Sequence, residues 1–319
     1  MKPFAFVFPG QGSQSVGMLD AWGDHPVLVQ TVQEVSDALG QDMARLIKQG
    51  SKEELALTTN TQPVMLVAGV ATYRMWINET GLTPALVAGH SLGEYAALVA
   101  SGALSLTQAA PLVRFRAQAM QDAVPVGAGA MAAILGLNVP EIVAVCARIT
   151  GATDQFDLQE GEVVEAVNFN DPMQTVIAGS KAAVDKACEA LKAEGAKRVL
   201  LLQVSAPFHS SLMKPAADKL KAKLAATSFA PPQIALINNI DVAIETDATR
   251  IRDALYRQAF GAVRWVECVQ TIKARGVRQI IECGPGKVLA GLVKRIDADL
   301  TGSSLFDPAT MAQLKEMLL

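Results

Sequence analysis

The sequence is poor in the features that mark several classes of protein. Its four cysteines stand far apart with no CxxC pair, so neither a disulfide framework nor a zinc site is indicated. The formal net charge is −3 and lysine and arginine form no block, which argues against nucleic acid as the main partner. No apolar run is long enough to cross a bilayer, and the N-terminal run is too short for a signal peptide. We therefore expect a soluble, cytoplasmic protein with reduced core thiols and with no membrane or nucleic-acid partner.

Apolar residues, by contrast, are abundant. They make up 50% of the 319 residues, enough for one large domain or two domains with a substantial core. Short apolar runs at 4–8, 85–90, 234–238 and 279–283 predict buried strands, and helical patterns lie between them. Strands that alternate with helices are typical of an α/β fold with a parallel sheet and helices on both faces.

The middle of the chain has a different order of elements. The pattern predicts strands at 128–137, 163–170, 174–179 and 197–204, and helices at 140–149 and 181–196. This βαββαβ order is the ferredoxin-like pattern. We therefore predict a small ferredoxin-like domain over residues 127–204, inserted into a large domain formed by residues 1–126 and 205–319.

A compressed turn, "GHSLG" at 89–93, places Ser91 between two glycines where a predicted strand meets a helical segment. This is the arrangement of a nucleophile elbow, Gly-x-Ser-x-Gly. The glycines remove side chains that would collide in the turn, and the helix N-terminus favours developing negative charge. The alternative is an ordinary serine N-cap after a glycine-rich turn.

A nucleophilic serine needs a base, and the sequence has three histidines. His25 precedes a proline in a polar stretch, which favours a surface or N-cap position. His90 adjoins Ser91 in the sharp turn, so its side chain should diverge and support the elbow. His209 follows a predicted strand and precedes a helix that we expect Ser210 to cap. Catalytic side chains often lie on such loops, and His209 is therefore the candidate base.

The segment "PGQGSQ" at 9–14 follows the first predicted strand and is able to direct successive backbone N–H groups at one point. The N–H groups of Gln11 and Leu92 are the candidate oxyanion donors, each typically worth ~3 kcal/mol of transition-state stabilisation. A phosphate-binding loop is the competing interpretation, but neither the Walker spacing nor GxGxxG is present.

Arg116 lies on the apolar face of a predicted helix over 107–121. The positions three and four residues away are all apolar: Leu112, Val113, Ala119 and Met120. A buried guanidinium needs an anionic partner or a water-filled pocket. A structural salt bridge or snorkelling along the helix would satisfy it. If the guanidinium instead points toward Ser91, it would bind a substrate carboxylate with two hydrogen bonds. It would then reject acyl groups that have no carboxylate.

Together these segments resemble one family, the malonyl-CoA:acyl carrier protein transacylases and the related acyltransferase domains of polyketide synthases. The matching segments occur in the family's order and span nearly the whole chain: "FPGQGSQ" at 8–14, "GHSLGEYAALVASG" at 89–102, "RAQAMQ" at 116–121, "NFN" at 168–170, "PFHS" at 207–210 and "ECGPGKVL" at 282–289.

The resemblance implies a large α/β-hydrolase-like domain with a ferredoxin-like insert and an active site in the cleft between them. It implies transfer of a malonyl group from malonyl-CoA to the phosphopantetheine thiol of acyl carrier protein, for fatty acid biosynthesis, without a metal or tightly bound cofactor. It also implies a role for each of eight residues: nucleophile Ser91, base and acid His209, oxyanion donors Gln11 and Leu92, a histidine-orienting carbonyl at Gln258, a carboxylate clamp at Arg116, and substrate contacts at Asn168 and Phe208.

Three other functions remain open from the sequence. A serine esterase or thioesterase would use the same elbow and would want a carboxylate for His209, for which Asp157 and Asp171 are candidates. A trans-acting polyketide acyltransferase and a non-catalytic carrier-binding module are the others. Because acyl carrier protein is acidic, we expect a local basic patch that binds it. The candidate members of this patch are Lys192, Lys197, Arg198, Lys287, Lys294 and Arg295. The alternative is that these residues are only solvated surface charge.

Overall fold

The computed structural model describes residues 2–319, and its strands form two sheets. The strands are β1 (Phe4–Phe8), β2 (Leu86–Gly89), β3 (Gly129–Leu135), β4 (Val164–Asp171), β5 (Gln174–Ser180), β6 (Arg198–Leu201), β7 (Ala235–Ile237), β8 (Gln279–Cys283) and β9 (Thr301–Leu305). The helices are α1 (Pro26–Leu39), α2 (Met43–Gln49), α3 (Lys52–Ala56), α4 (Thr58–Thr80), α5 (Gly93–Ala100), α6 (Leu106–Gln121), α7 (Val139–Gly151), α8 (Lys181–Ala193), α9 (Lys214–Ala225), α10 (Ala248–Gln258), α11 (Trp265–Ala274), α12 (Val288–Ile296) and α13 (Pro308–Leu318). None of these helices within residues 2–319 combines the length and apolarity needed to cross a membrane.

The larger sheet has five strands in the order β7-β2-β1-β8-β9, and every neighbouring pair is parallel. All five residues of β1 are buried because its alternate side chains enter two different cores. Phe4, Phe6 and Phe8 pack in a core with α4, whereas Ala5 and Val7 pack in a core with α11 and α12. The predicted parallel sheet with helices on both faces is confirmed.

The smaller sheet has four antiparallel strands in the order β4-β5-β3-β6. Helices α7 and α8 pack with its apolar side chains in a core of their own. The predicted ferredoxin-like order is therefore confirmed, and the chain has the α/β class with a parallel sheet and a small antiparallel subdomain. The strand predicted at 197–204 is shorter in the structure, ending at Leu201, and its leucines are largely exposed at the sheet edge. The domain limits at 127 and 204 stay a prediction.

Main-chain hydrogen bonds attach the small sheet to the loop that precedes α11. The N–H of Val263 donates to the carbonyl of Val167 at 2.8 Å, and the N–H of Phe169 donates to the carbonyl of Val263 at 3.0 Å. On the same strand, Asp171 forms an ion pair with Arg295 of α12 at 3.0 Å. These contacts fix β4 beside the C-terminal ends of β1 and β2, where the elbow lies.

Candidate active site

The turn between β2 and α5 is a strand-to-helix elbow, as predicted. Ser91 has a φ of 52°, in the left-handed region that non-glycine residues rarely adopt. A Cβ at position 89 would lie 1.9 Å from the carbonyl carbon of Gly93, and a Cβ at position 93 would lie 2.1 Å from the carbonyl oxygen of Phe8. Only glycine fits at either position, and the tight packing holds Ser91 in the lining of a cavity.

The structure brings His209 to Ser91. Ser91 Oγ lies 2.6 Å from His209 Nε2, and His209 Nδ1 lies 2.9 Å from the main-chain oxygen of Gln258. A carbonyl only accepts hydrogen bonds, so Nδ1 carries the proton and Nε2 is left as the acceptor for the serine hydroxyl. This is the relationship expected of a nucleophile, a base and an orienting group.

The environment of His209 keeps its imidazole neutral. The side chain is buried, and burial, followed by the positive charge of Arg116, lowers the pKa of His209 to about 3. At neutral pH the ring is therefore able to accept a proton.

Arg116 is buried and turns toward the serine instead of pairing with an internal carboxylate. Its Nη1 donates to Gln62 Oε1 at 2.7 Å, while its Nη2 lies 3.2 Å from Gln258 Oε1 and 3.3 Å from Ser91 Oγ. Its guanidinium also lies over the ring of Tyr95, 5.5 Å from the centroid. Within residues 2–319 no carboxylate lies within ion-pair distance of it, so the groups in direct contact with the guanidinium are neutral dipoles and the π-electrons of Tyr95. The interpretation as a structural salt bridge is wrong.

The two backbone groups expected to bind an oxyanion lie beside the same cavity. Gln11, in the turn after β1, and Leu92, at the start of α5, both line it together with Ser91. Across residues 2–319, neither N–H donates to a protein acceptor. Two free main-chain donors near a serine hydroxyl match the requirement for oxyanion stabilisation.

The cavity is completed by residues of the small sheet and of the segment before His209: Met131, Asn168, Val176, Leu202, Val204 and Phe208. The Oδ1 atom of Asn168 is buried and has no hydrogen-bond partner in the part of the chain that the structure describes. Phe208 is buried and contributes apolar surface. A wider groove continues from this cavity between the 9–14 turn, the small sheet and α12.

The other two histidines have the supporting positions expected for them. His25 is the N-cap of α1, where its Nδ1 accepts a hydrogen bond from the N–H of Val27 at 3.2 Å. The Nε2 of His90 lies 2.9 Å from Asn170 Oδ1, and the two rings of His90 and Trp265 are 5.5 Å apart. His90 therefore ties the elbow to β4 and to α11.

Two expectations about neighbouring residues need correction. The hydroxyl of Ser210 does not cap a long helix: it donates to the carbonyl of Pro207 at 2.7 Å, and Ser210 is followed by a single 3-10 turn before α9 begins at Lys214. Neither candidate aspartate orients His209. Asp157 is exposed, and Asp171 accepts from Met173 N and pairs with Arg295.

Four side chains of the site were missed by the sequence reasoning. These are Gln62 and the amide of Gln258, which hold Arg116, and Asn239 and Glu94, which lie beneath the elbow. The signal available in the sequence was weak: Gln62 is a polar residue in the largely apolar α4, and Asn239 belongs to an asparagine pair that follows β7.

A strand-to-helix serine paired with a buried histidine is the arrangement of enzymes that form acyl-serine esters. Residues 5–297 match the acyl transferase domain family. The malonyl CoA-acyl carrier protein transacylase of Escherichia coli strain K12 is 50% identical over 318 residues, which cover 99% of this chain and 100% of that protein. The chain therefore belongs to the acyl transferase domain family.

Solved structures resemble the chain along its whole length. A crystal structure of an acyl-carrier-protein S-malonyltransferase from Burkholderia pseudomallei 1710b has 60% identity and a TM-score of 0.94, with 99% of this chain and 100% of that chain covered. A type II polyketide synthase acyl-carrier protein in complex with its malonyl-transacylase gives 48% identity and a TM-score of 0.94, with coverage of 99% and 100%.

Proposed function

We propose that this protein transfers a malonyl group from malonyl-CoA to the phosphopantetheine thiol of acyl carrier protein. The observation that carries the proposal is the meeting of Ser91, His209 and Arg116 in one cavity, with Ser91 Oγ 2.6 Å from the imidazole and 3.3 Å from the guanidinium. The names of the relatives, which are malonyl transacylases, support the same substrates.

In the first half-reaction, Ser91 Oγ attacks the thioester carbonyl of malonyl-CoA while His209 Nε2 accepts the hydroxyl proton. The carbonyl oxygen becomes an oxyanion, which the N–H groups of Gln11 and Leu92 stabilise. The tetrahedral intermediate then breaks its C–S bond, and His209 returns the proton to the leaving sulfur. Coenzyme A departs and a malonyl ester remains on Ser91.

In the second half-reaction the phosphopantetheine thiol attacks that ester, and the same groups act in reverse. His209 takes the thiol proton and gives it back to Ser91 Oγ as the ester bond breaks. The carbonyl of Gln258, which accepts from Nδ1, keeps the ring in the required tautomer through both halves. No metal or tightly bound cofactor has a step in this ping-pong scheme.

Arg116 provides the preference for an acyl group with a free carboxylate. A malonyl carboxylate placed against its two Nη atoms would form charge-assisted hydrogen bonds, and it would supply the counter-ion that the guanidinium lacks. An acetyl group would leave that charge buried without a counter-ion in contact with it. This cost discriminates between malonyl and acetyl groups more strongly than the gain of hydrogen bonds to the malonyl carboxylate does. Asn168 and Phe208 would contact the rest of the substrate, with the orphan Oδ1 of Asn168 accepting a substrate N–H.

The carrier protein would reach the site through the groove beside α12, within which its phosphopantetheine arm would extend to Ser91. The basic residues suggested for its docking are exposed, although Arg295 is partly neutralised by Asp171. We place the reaction in fatty acid biosynthesis. Service to a polyketide pathway is the second candidate, favoured by the relative that is bound to a type II polyketide synthase carrier protein.

The proposal also covers the domain organisation and the location of the protein in the cell. We divide the chain into a catalytic domain of residues 1–126 and 205–319 and a small domain of residues 127–204, a division supported by the separate cores of the two sheets.

We place the protein in the cytoplasm because its four cysteines are buried free thiols, which a reducing compartment maintains.

The test is the fate of the acyl group after the first half-reaction. Incubation with malonyl-CoA alone should give one malonyl ester per chain, located at Ser91 by peptide mass spectrometry, with slow release into water and rapid transfer once phosphopantetheinylated carrier protein is added. Rapid hydrolysis without the carrier would instead identify a thioesterase. Equal labelling by acetyl-CoA would remove the role given to Arg116.

A further inference from the structure

Glu94 is a buried carboxyl group that the reaction scheme above leaves without a role. It lies in the first turn of α5, three residues after Ser91, and only 2% of its surface is exposed. Its Oε2 accepts two hydrogen bonds of 2.9 Å, one from the main-chain N–H of Asn239 and one from Gln258 Nε2. Burying a carboxyl group is costly, and burial raises its pKa to about 7. A nearby small cavity also touches its side chain.

The Gln258 amide that Glu94 contacts is bonded on both of its sides. Its Nε2 donates to Glu94 and also to the carbonyl of Ser91 at 3.0 Å, whereas its Oε1 accepts from Arg116 Nη2 at 3.2 Å. If the amide turned over, its NH2 group would face the guanidinium donors and its oxygen would face two acceptors. The carboxyl of Glu94 thus fixes which end of the amide meets Arg116.

The two residues that Glu94 contacts, Gln258 and Asn239, also hold His209 and Ser91. Gln258 supplies the carbonyl that orients His209, and Asn239 supplies the Oδ1 that accepts from the N–H of Ser91 at 2.8 Å. The Nδ2 of Asn239 in turn donates to the carbonyl of Gly89 at 2.7 Å. Glu94 therefore holds two residues that brace the left-handed elbow, the imidazole and the guanidinium.

We propose that Glu94 is a positioning residue that sets the orientation of the Gln258 amide and, through it, the guanidinium of Arg116, so that it controls the preference for carboxylate-bearing acyl groups as well as the rate. The inference depends on the proposed malonyl transfer. Arg116 is supported on one side by Gln62 and on the other by Gln258. Loss of one support would let the guanidinium move relative to Ser91, and a displacement of ~1 Å is enough to cost about 100-fold in rate.

The experiment compares Glu94→Leu, which removes the acceptor, with Glu94→Gln, which keeps an acceptor oxygen. Acylation of Ser91 by malonyl-CoA and by acetyl-CoA is measured in single turnovers, normalised to the fraction of chains able to form the ester. Glu94→Leu should lower the malonyl rate by about 100-fold and reduce the malonyl-over-acetyl ratio by about tenfold. Glu94→Gln should keep both within about threefold of the native values.

Glu282→Leu is the matched control. Glu282 is also a buried carboxyl at the end of a strand of the large sheet, and its Oε2 accepts the N–H of Ala290 at 2.9 Å without contacting the cavity. A variant that merely loosens the fold lowers both acyl rates together. The malonyl-over-acetyl ratio of Glu282→Leu should therefore remain native.

A second measurement tests whether Glu94 acts through Gln258. Gln258→Leu removes the amide and keeps the carbonyl that orients His209. In that background, Glu94→Leu should cost only about threefold further, because the contact with the Asn239 N–H is then the only one of its two contacts that remains to be lost. If Glu94→Leu does not fold, Glu94→Ala replaces it in both measurements.

Three results would overturn the inference. The first is a native malonyl-over-acetyl ratio in folded Glu94→Leu, or in Glu94→Ala where that replaces it, and the second is a fall in this ratio no larger than that in Glu282→Leu. The third is a double variant whose loss of malonyl rate equals the product of the losses in Glu94→Leu and Gln258→Leu. Absence of malonyl transfer in the native protein would instead contradict the proposed function itself.

Discussion

Ser91 and His209 are 118 residues apart in the chain, and their Oγ and Nε2 atoms are 2.6 Å apart in the folded protein. The contact joins the elbow after β2 to the loop before α9, and both residues have positive φ angles, 52° and 68°. Backbone strain of this kind persists only where the surrounding structure holds it, and it concentrates at active sites.

Replacement of the serine tests whether the chain is a catalyst or a carrier-binding module. Ser91→Ala should lower malonyl transfer by about 1,000-fold or more, since among the described residues only the Ser91 hydroxyl is hydrogen-bonded to the imidazole of His209. Binding of carrier protein, measured by calorimetry, should persist. Ser101→Ala is the control. Ser101 is a buried serine at the C-terminal end of α5, the helix that follows Ser91, and its hydroxyl donates to the carbonyl of Leu98. Residual transfer by Ser91→Ala at the native rate would support the non-catalytic module.

Removal of the guanidinium should change which acyl group is preferred. Arg116→Ala should lower malonyl transfer by about 100-fold, because a charge-assisted pair with the substrate carboxylate is lost, and should leave acetyl transfer relatively improved. Arg114→Ala is the control: Arg114 lies on the same helix, and its hydrogen bond to Gln41 points away from the serine. If malonyl and acetyl rates fell together in Arg116→Ala, the carboxylate clamp would be wrong.

The acylation rate should persist under mildly acidic conditions. Because burial and Arg116 hold the pKa of His209 at about 3, well below the ordinary 6.5, the free enzyme keeps a neutral imidazole as the pH falls. The acid limb of kcat/KM, measured with rapid mixing, should therefore lie below about pH 5. In Arg116→Ala the acid limb should move to higher pH, since one cause of the low pKa of His209 is gone.

The pH profile is repeated in Glu94→Gln as a control, because the raised pKa of the Glu94 carboxyl adds a second titration nearby. A limb at the ordinary histidine pKa would contradict the electrostatic account.

Displacement of the turn after β1 should weaken oxyanion binding. A Cβ at Gly10 would lie 2.6 Å from the main-chain oxygen of His90, so Gly10→Ala must shift the turn that carries the Gln11 N–H. We expect kcat to fall by about 100-fold while KM changes little. Gly291→Ala, in α12, should leave kcat native, because among residues 2–319 nothing outside the backbone of its own helix turn lies within 4 Å of the added Cβ. A change confined to KM would show that Gln11 acts in binding rather than in stabilising the oxyanion.

Glu282 should make stability depend on pH. Burial raises its pKa from 4.5 to about 7, so the folded state holds the proton more tightly than the unfolded state does. The stabilising contribution is full below pH 4.5 and is lost as the pH rises through 7. Glu282→Gln stays neutral, so its unfolding free energy relative to the native protein should rise across that range by about 3 kcal/mol at most. Urea denaturation at the two ends of the range measures this difference, and parallel stability curves would contradict it.

The main architecture could be read from local patterns because those patterns report burial. Alternate side chains of the run at 4–8 enter two different cores, so both faces of the strand are buried. A strand buried on both faces in a parallel sheet needs a continuous apolar sequence, and the run at 4–8 has one. Strand β9 was not predicted. Its sequence, "TGSSL", is small and polar because it lies at the sheet edge, where one side needs little apolar surface.

The serine, its glycines, the histidine and the arginine were also within reach of the sequence. Each carries a local signal: an elbow pattern, a loop after a strand, a charge on an apolar helix face. Gln62 and Asn239 carry only a weak signal, and Glu94 and the side chain of Gln258 carry none that distinguishes them from other polar residues. Their importance comes from hydrogen bonds that span 54 to 167 positions of the chain, such as Arg116 to Gln62 and Gln258 to Ser91.

The sequence by itself therefore determined the fold class, the elbow and the types of group that a reaction would need, because strand burial, helix periodicity and turn sterics are properties of neighbouring residues. Only the tertiary structure decided that Arg116 faces Ser91 without a carboxylate of its own, and that a carbonyl, not an aspartate, orients His209. Those choices depend on which distant elements pack together and on the hydrogen bonds that buried polar groups must then find.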